Sequence, residues 1–541
     1  MINLLYVLHD TNLGGATQSL IDLLRVLRKK VNARVIVPFD GPACSILTDL
    51  GVPYYIFPFE AGYGSLGSNS SIDKEFNFWI NYSVAEEIVK YAVSDKWNID
   101  LIHSNSSVTN IGAVLSLLLN VKHIWHYREF LEEDFGMQFY DKELQYELTR
   151  ASDYCIAISD CIKEKYEKEI GKEFNRKYNG LNVKKYYFDY KGINRNKNFY
   201  IAGNVSEGKG QADAVKAIEY LVNYCGIDDI TLFIVGHGDE RLIWLLKKFI
   251  EYKHIEKNVV ITPFQNDLSD IRKKCSFSLT CSRMEALGRT TIEAMMAGNL
   301  VIGANSGATI EIVGSNEERG LLYTVGDFVS LAKTMKRAIS LNDSEMDSYL
   351  KNAQEFTLET FDSNKYADDI FELYKNVSSD NIKVDEKVRQ NLLVKLKNKY
   401  ENINISELYY KKYKKRSDKW ISMFSVCNRW INNKINNVNI ANILEKYGIK
   451  TVAVYGMGYL GRSLYDDLKK SNITVKYFID LNYSDNIEPI KIYKPNGDLP
   501  KVDCIIVTVV GSEEEIINQY SKMIDIPIMG ISQIINNGYI R

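Results

Sequence analysis

The stretch FSLTCSRMEALGRTTIEAMMAGNLVIGAN, residues 277–305, contains an apolar run, a glycine turn, a helical segment and a second apolar run. This order predicts a strand, a helix and a parallel strand, the repeating unit of a doubly wound α/β sheet. Glu285 and Gly288 then lie at the carboxyl end of the first strand, where open parallel sheets bind ligands. Free N–H groups near Thr290 would attract an anion. Glu293 is placed in the first turn of that helix, although both glutamates could simply reflect the preference for acids at a helix start.

The same alternation extends through most of the chain. At 541 residues the length favours three to four domains of roughly 150 residues each. Strand and helix patterns alternate over residues 2–188 and restart after a polar segment at 191–198. We therefore predict an α/β protein with a Rossmann-like domain at 1–190, a second at 191–378, a Lys- and Asn-rich helical connector at 379–445 and a small third Rossmann-like domain at 446–541.

The net charge of the chain is −2, from 67 Lys and Arg against 69 Asp and Glu. This balance argues against a general nucleic-acid binder, which needs a large positive field. The charge is unevenly spread, because residues 381–440 carry +9 and the rest of the chain carries −11. Within that region ELYYKKYKKRSDKW, residues 407–420, mixes aromatic and basic side chains in a way that suits an anionic membrane surface. Nucleic acid and a solvated helix face are the alternatives.

The location expected from the sequence is the cytoplasm. The start, MINLLYVLHD, lacks the basic region and cleavage site of a secretory signal. The apolar stretch IGAVLSLLLNV, residues 111–121, has about half the length that crosses a bilayer. We expect a cytoplasmic protein whose segment 407–420 makes peripheral contact with the inner face of the cell membrane.

Residues 285–298, EALGRTTIEAMMAG, are followed by a strand, by SGATIEIV and by GLLYTVGD. In this order the strings resemble the retaining GT-B glycosyltransferases, the family 4-like enzymes also described as glycosyl transferases group 1. That family uses two Rossmann-like domains and carries two glutamates separated by seven residues. The resemblance implies that Glu285 reaches hydroxyls of the transferred sugar and that Glu293 binds the ribose of the nucleotide.

A second match is IAGNVSEGKGQADAVKAI, residues 201–218, which is similar to the family's strand, loop and Lys-Gly before a helix. The resemblance places Lys209 at the nucleotide diphosphate, where a fixed cation stabilises the charge on the leaving group. A solvated surface lysine is the alternative. Asn204 stands where the family has an arginine, so Arg289 or Arg283 would have to supply the second cation.

The first domain contributes two further matches. NLGGATQSLIDLL, residues 12–24, is similar to the family's glycine pair, so Gly14 and Gly15 are expected to let backbone amides approach the donor. HIWHYREF, residues 123–130, ends a strand with His126, which matches the histidine at the floor of the family's donor-sugar site. A structural histidine is the alternative. The expected donor contacts also include Gly236, in the turn IVGHGDE, and Thr290.

The reaction that the resemblance implies is transfer of a hexosyl-type sugar from a UDP- or GDP-sugar to a glycan or lipid-linked acceptor, with retention of configuration. Bacterial surface polysaccharide assembly is the expected setting. The sequence has no Asp-x-Asp pair, so no metal or other cofactor is expected at this site. Two rival functions remain open: a non-catalytic nucleotide-sugar sensor or assembly partner, which Asn204 favours, and an NAD-dependent sugar-modifying oxidoreductase.

The basis for the oxidoreductase is KTVAVYGMGYLGRSLYDDLKKSNITVKYFID, residues 450–480. It contains a strand, Gly456-x-Gly458-x-x-Gly461, a helix and a strand that ends at Asp480. This order is typical of a dinucleotide-binding fingerprint, in which the acid binds ribose hydroxyls. NAD or another nucleotide is therefore a candidate ligand, and a degenerate docking module is the alternative because little sequence follows.

Overall fold

The structure is a computed structural model and describes residues 1–65, 71–192, 195–379, 384–481, 488–495 and 498–537. The chain divides into two compact units. The larger comprises residues 1–237 and 257–408, and the smaller comprises residues 238–256 and 409–541.

The first part of the larger unit is a doubly wound sheet. Its strands are β1 (Ile2–Val7), β2 (Val31–Val37), β3 (Tyr54–Ile56), β4 (Tyr63–Ser65), β5 (Leu101–Ser104), β6 (Lys122–Tyr127), β7 (Met137–Phe139), β8 (Tyr154–Ala157) and β9 (Asn175–Arg176). Its helices are α1 (Gly15–Leu27), α2 (Pro42–Asp49), α3 (Ser71–Ser94), α4 (Ile111–Leu119), α5 (Leu131–Phe135), α6 (Lys142–Ala151), α7 (Asp160–Ile170) and α8 (Val183–Tyr186). Seven strands pair in parallel in the order β3-β2-β1-β5-β6-β8-β9, and β4 pairs with β7 as a separate antiparallel ribbon.

The second sheet is also parallel, with the order β12-β11-β10-β13-β14-β15. Its strands are β10 (Asn198–Ala202), β11 (Thr231–Val235), β12 (Val259–Thr262), β13 (Phe277–Thr280), β14 (Leu300–Ala304) and β15 (Leu321–Tyr323). The helices of this region are α9 (Gln211–Asn223), α10 (Glu240–Lys253), α11 (Ser269–Lys274), α12 (Arg289–Met296), α13 (Ala308–Val313), α14 (Phe328–Ile339), α15 (Asp343–Thr360) and α16 (Ser363–Ser378). Although α10 lies between β11 and β12 in sequence, it belongs to the smaller unit.

The predicted connector is helical, and it is divided between the units. Its helices are α17 (Glu386–Glu401), α18 (Ile405–Ile435) and α19 (Ile440–Lys446). Helix α17 belongs to the larger unit, where the buried Arg389 contacts Asp153 at 3.1 Å, and the chain from Tyr409 onwards belongs to the smaller one. The predicted boundary at 378/379 falls beside residues 380–383, which lie outside the described residues.

The smaller unit contains the third parallel sheet, ordered β18-β17-β16-β19-β20. Its elements are β16 (Thr451–Tyr455), α20 (Tyr459–Leu468), β17 (Thr474–Ile479), β18 (Ile492–Tyr493), β19 (Cys504–Val507), α21 (Glu513–Tyr520), β20 (Ile528–Gly530) and α22 (Ile531–Asn537). The prediction of an α/β protein with two doubly wound sheets and a third, carboxyl-terminal Rossmann-like sheet is therefore confirmed. The residue limits of the four predicted parts stay a prediction.

Burial on both faces explains why the strands are continuous apolar runs rather than alternating ones. Val35, Ile36 and Val37 of β2 are all fully buried, and so are Trp125 and Tyr127 of β6. Each such side chain contributes roughly 1.5–3 kcal/mol by leaving water. In each of the three sheets the strand order changes direction next to the strand that comes first in the sequence, which is β1, β10 or β16. The loops after these strands therefore lie at switch points, where such sheets bind ligands.

Candidate active site

The two predicted catalytic residues of the second sheet lie together. Lys209 is in a short 3-10 turn that follows β10, and Glu285 is in the loop that follows β13, the neighbouring strand. The Lys209 Nζ is 3.1 Å from Glu285 Oε2, and the Ser282 hydroxyl donates to the same oxygen at 2.6 Å. Both charged side chains are largely buried, at 19% and 16% exposed. The switch point of this sheet therefore holds a compact pair of opposite charges.

Backbone geometry requires glycine at two of the predicted donor-binding positions. Gly288 has φ +82° and forms the amino-terminal end of α12, so a side chain there would be strained. At Gly236, after β11, a Cβ atom would lie 1.9 Å from the carbonyl oxygen of Gly203, which follows β10. The loop after β11 can approach the backbone of the loop after β10 this closely only because residue 236 has no side chain.

Helix α12 presents its amino-terminal end beside Glu285. It begins at Arg289, its N-cap Gly288 supplies no side-chain hydrogen bond, and Thr290 lies in its first turn. The first N–H groups of a helix lack intrahelical acceptors and carry partial positive charge. This end of α12 is therefore suited to an anion, as the sequence predicts.

Glu293 has different surroundings from those that the sequence suggests. Because α12 begins at Arg289, one residue earlier than predicted, Glu293 is the fifth residue of the helix and lies in its second turn, so the predicted placement in the first turn is wrong. The side chain is buried between two guanidinium groups: Arg272 Nη2 is 2.5 Å from its Oε2, and Arg289 Nε is 3.2 Å from its Oε1. Because two arginines pair with Glu293, the preference for acids at a helix start does not explain this residue.

Arg289 joins the two sheets of the larger unit. Its Nη2 contacts Asp22 Oδ2 on α1 at 2.7 Å, and its Nη1 donates to the Ser19 hydroxyl at 3.1 Å. Burial lowers the pKa of Arg289, but Glu293 and Asp22 more than offset this and raise the pKa above its ordinary value. The other candidate cation, Arg283, contacts Asp213 at 2.6 Å. Both arginines that could replace the missing one at the exposed Asn204 are thus held by carboxylates.

The glycine pair of the first domain lies in open space. Gly14 is the N-cap of α1 and Gly15 its first residue, and the helix receives no side-chain cap. A Cβ atom at either position would meet no described atom within 4 Å. Packing among the described residues therefore does not explain these glycines, whereas close approach of a ligand would.

His126 is completely buried at the end of β6. Its Nδ1 is 2.9 Å from Arg128 Nη2, and its Nε2 has no hydrogen-bond partner among the described residues. Burial lowers the pKa of His126 well below its usual value, and Arg128 and His103 add to the effect. The ring is therefore neutral near pH 7, and the hydrogen-bonding capacity of its buried Nε2 is not satisfied by any described group.

Sequence reasoning missed several polar groups at the same edge of the first sheet. His9 and Thr11, in the loop after β1, each have a buried side-chain atom without a partner among the described residues. Burial lowers the pKa of His9 to about 4. Arg128 is buried and donates to the carbonyl oxygen of Asn105 at 2.6 Å. Their common signal is that each lies within four residues after the end of a strand.

Residues 184–356 match the family model described as glycosyl transferases group 1. An uncharacterized glycosyltransferase of Methanocaldococcus jannaschii is 25% identical over 245 residues, which cover 43% of this chain. The chain spans 64% of that relative's length, less than two thirds of it. The range that matches the glycosyl transferases group 1 contains Lys209, Glu285 and Glu293.

Crystal structures of glycosyltransferases have the same fold. Anabaena HepE, in complex with UDP and glucose, has a TM-score of 0.58 and 22% identity, and the match covers 70% of this chain and all of HepE. A variant of TarM from S. aureus, in complex with fondaparinux, alpha-GlcNAc-glycerol and UDP, has a TM-score of 0.53, 12% identity and the same coverage. The predicted GT-B fold is therefore confirmed.

None of the described helices has both the length and the apolar character needed to cross a membrane. Across the described ranges, no group of three or more His, Cys, Asp or Glu side chains is arranged to hold a metal ion.

The fingerprint of the smaller unit has the predicted order of glycines and acid, but its acid, Asp480, already has partners within the protein. Gly456, Gly458 and Gly461 connect β16 to α20, with Gly456 at φ +98° and with open space around Gly458 among the described atoms. Asp480 follows β17, and its Oδ2 accepts a hydrogen bond from the Met457 N–H at 2.8 Å. Its Oδ1 also lies 3.9 Å from Nη1 of an arginine of α10, Arg241.

Helix α10 packs on α20 within this unit. The Trp244 indole donates to Asp466 at 3.1 Å, and its ring meets Tyr465 edge to face at 5.2 Å. Lys248 also contacts Asp466, at 3.4 Å. The face of α20 that carries Tyr465 and Asp466 is thus covered by another helix of the same chain.

Proposed function

We propose that this protein transfers a sugar from a nucleotide-sugar donor to an acceptor hydroxyl, and that Lys209 and Glu285 form its reaction centre. The observation that carries the proposal is the 3.1 Å contact between these side chains, within the range that matches the glycosyl transferases group 1. A cation and a carboxylate at a sheet switch point, beside a free helix end, suit a charged diphosphate attached to a polyhydroxylated sugar.

In this proposal the diphosphate is held by Lys209 and by the first N–H groups of α12. Both are fixed before the reaction, so they stabilise the negative charge on the departing diphosphate without reorganisation. Lys209 stays beside Glu285 when the diphosphate binds, and Glu285 accepts hydrogen bonds from sugar hydroxyls. The neutral His126 offers its Nε2 to the same sugar from the first sheet.

The reaction that we propose proceeds with retention. The bond between the anomeric carbon and the diphosphate oxygen breaks, and its electron pair leaves with the diphosphate. The acceptor oxygen bonds to the same face of the carbon, and its proton passes to the leaving phosphate oxygen. Phosphate serves as the base, so the mechanism needs no protein general base at the acceptor.

For Arg289 and Glu293 we propose that joining the two domains is the main role. Arg289 is held by Asp22 and Glu293, so its charge is already neutralised by protein carboxylates. By holding α1 against α12, it keeps Gly14 and Gly15 near the amino-terminal end of α12. Donor binding then depends on this ion-pair network even if the network never touches the nucleotide.

We propose a glycan or a lipid-linked acceptor at the inner face of the cell membrane, within surface polysaccharide assembly. The functional test is a panel of UDP- and GDP-sugars incubated with the purified protein, with release of UDP or GDP as the readout. Mass spectrometry of nucleotide sugar retained through purification identifies the donor. NMR of the anomeric proton in the product then tests retention, because inversion would change its coupling constant.

A nucleotide-sugar sensor is the second candidate function. The exposed Asn204, in place of the arginine that the resemblance leads us to expect, favours it because a weaker phosphate site can bind a donor without stabilising the leaving group. Saturable donor binding with no nucleotide release, across the whole panel and with glycan acceptors present, is the result that supports the sensor over the enzyme.

A further inference from the structure

Helix α18 carries a row of exposed apolar side chains along one side. We define the α18 apolar stripe as Trp420, Ile421, Phe424, Ile431 and Ile435, which are between 58% and 73% exposed. At about 100° per residue these positions fall within a sector about 100° wide. Asn428 interrupts the row between Phe424 and Ile431. Large apolar side chains on protein surfaces are usually scattered singly, so five of them on one side of one helix indicate a binding surface.

The opposite side of the same helix is already packed within the smaller unit. Val426 and Trp430 are buried there, and the buried Asn433 donates to the carbonyl oxygen of Ile535 at 3.0 Å. These three positions centre on the side of α18 roughly opposite the stripe. The helix is therefore anchored by one face, and the stripe is directed away from that anchor.

Positive charge adjoins the stripe. Residues 407–420 hold six Lys or Arg and two acids, and Arg429 and Lys434 follow, so α18 is strongly basic along its length. The side chains of residues 415, 416 and 418 lie outside the described residues. Lys414, whose Nζ donates to the Tyr410 hydroxyl at 2.7 Å, and Lys434 fall on the two edges of the stripe.

From this arrangement we propose that the α18 apolar stripe inserts into the interface of a bilayer that contains anionic lipids. Aromatic and aliphatic side chains on one face with basic side chains beside them are the composition of helices that lie in the membrane plane. The basic side chains would meet the lipid phosphates while the stripe enters the acyl boundary. The helix would lie on the membrane without crossing it.

The charges favour lipid over the other occupants of such a surface. A second copy of the chain would bring two strongly basic helices together, and the two acids of α18 could not neutralise them in either orientation. Nucleic acid would be attracted by the basic side chains of residues 407–420, but Ile421, Ile431 and Ile435 cannot stack on bases or contact phosphates. An anionic bilayer is complementary to both the stripe and the charge.

The test uses the full-length protein and sedimentation with vesicles. One set contains phosphatidylcholine alone, and the other contains equal parts of phosphatidylcholine and phosphatidylglycerol. We expect binding to the anionic vesicles at low salt, weaker binding at high salt, and little binding to the neutral ones. The double variant Trp420→Ala/Phe424→Ala should reduce the affinity for anionic vesicles roughly tenfold or more, because it removes two side chains that enter the interface.

The matched control is Tyr224→Ala/Tyr447→Ala, which removes two aromatic side chains that are 70% and 58% exposed elsewhere. It should bind the vesicles like the wild type. The proposal is overturned if the wild type does not sediment with anionic vesicles at low salt, or if the stripe variant binds them unchanged. It is also overturned if the stripe variant loses self-association or RNA binding while vesicle binding is retained.

This proposal does not depend on sugar transfer. Lys209→Ala should bind vesicles like the wild type whether or not it retains transferase activity. A failure of vesicle binding therefore leaves the proposed function standing, and an inactive wild type leaves the membrane proposal standing.

Discussion

Arg289 of α12 and Asp22 of α1 form an ion pair across the two sheets of the larger unit, with Nη2 and Oδ2 2.7 Å apart. Both side chains are mostly buried, at 13% and 6% exposed. The same guanidinium group also contacts Glu293, which in turn contacts Arg272. Four charged side chains, two of each sign, thus connect the helix at the proposed donor site to the other domain.

The first prediction concerns Asp22. Replacing it with asparagine removes one of the two carboxylates that neutralise a buried guanidinium group, so Asp22→Asn should lower the free energy of unfolding by about 1–3 kcal/mol. Urea denaturation measures the change. Asp49→Asn, at an exposed position of α2, is the matched control and should leave stability unchanged. Equal stabilities of the two variants would contradict a role for this ion pair.

The second prediction separates a structural role of Glu293 from ribose binding. Glu293→Gln leaves two buried guanidinium groups without their shared carboxylate, so unfolding should become easier by about 3 kcal/mol. Glu355→Gln, on the exposed surface of α15, should have no effect. A Glu293→Gln variant that loses donor affinity but keeps full stability would instead support a carboxylate that serves the ribose alone.

The third prediction is a pH dependence that comes from His103. Burial lowers its pKa to about 3, and Arg128 adds to the effect. Below about pH 6.5 the unfolded chain binds a proton that the native side chain does not, so stability falls as the pH falls. Between pH 6.5 and 5 this histidine should cost about 2 kcal/mol. Urea denaturation at both pH values should show a smaller loss for His103→Asn, and an equal loss in both proteins would refute the assignment.

The fourth prediction concerns the third sheet. Because Asp480 accepts from the Met457 N–H and lies near Arg241, we expect no saturable binding when the full-length protein is titrated with NAD in a calorimeter. A titration with UDP or GDP, whichever the accepted donor releases, is the positive control in the same buffer and should show binding at the other site. Saturable NAD binding that disappears in Asp480→Asn would show that the fingerprint is functional.

The sequence predicted the features that depend on the local order of strands, turns and helices. The strand and turn patterns of residues 277–305 were enough to place Glu285 at a strand end, and the fingerprint of 450–480 folds in its predicted order. The contact between Lys209 and Glu285, which are 76 residues apart, was not predicted, since the family resemblance only placed one at the diphosphate and the other at the sugar. No local pattern encodes such a pair, because it forms only after two strands have paired side by side.

The sequence did not predict ion pairs between residues that are far apart in the chain. Asp22 and Arg289 are 267 residues apart, and nothing in either segment indicates the other. The sequence also placed Glu293 in the first turn of α12 instead of the second, because the helix begins one residue earlier than predicted, after its cap Gly288. The membership of α10 in the smaller unit is likewise set by tertiary packing, which an alternating α/β pattern does not reveal.

The roles of Lys209 and Glu285 are tested most directly by the rate of nucleotide release from the donor that the wild type accepts, measured for Lys209→Ala. Lys333→Ala, at an exposed position of α14, is the matched control. Removing the fixed cation at the leaving group should lower the rate by at least roughly 100-fold, which corresponds to about 2.7 kcal/mol of transition-state stabilisation. The control should match the wild type. Near wild-type release by a folded Lys209→Ala would contradict the reaction centre proposed for Lys209 and Glu285.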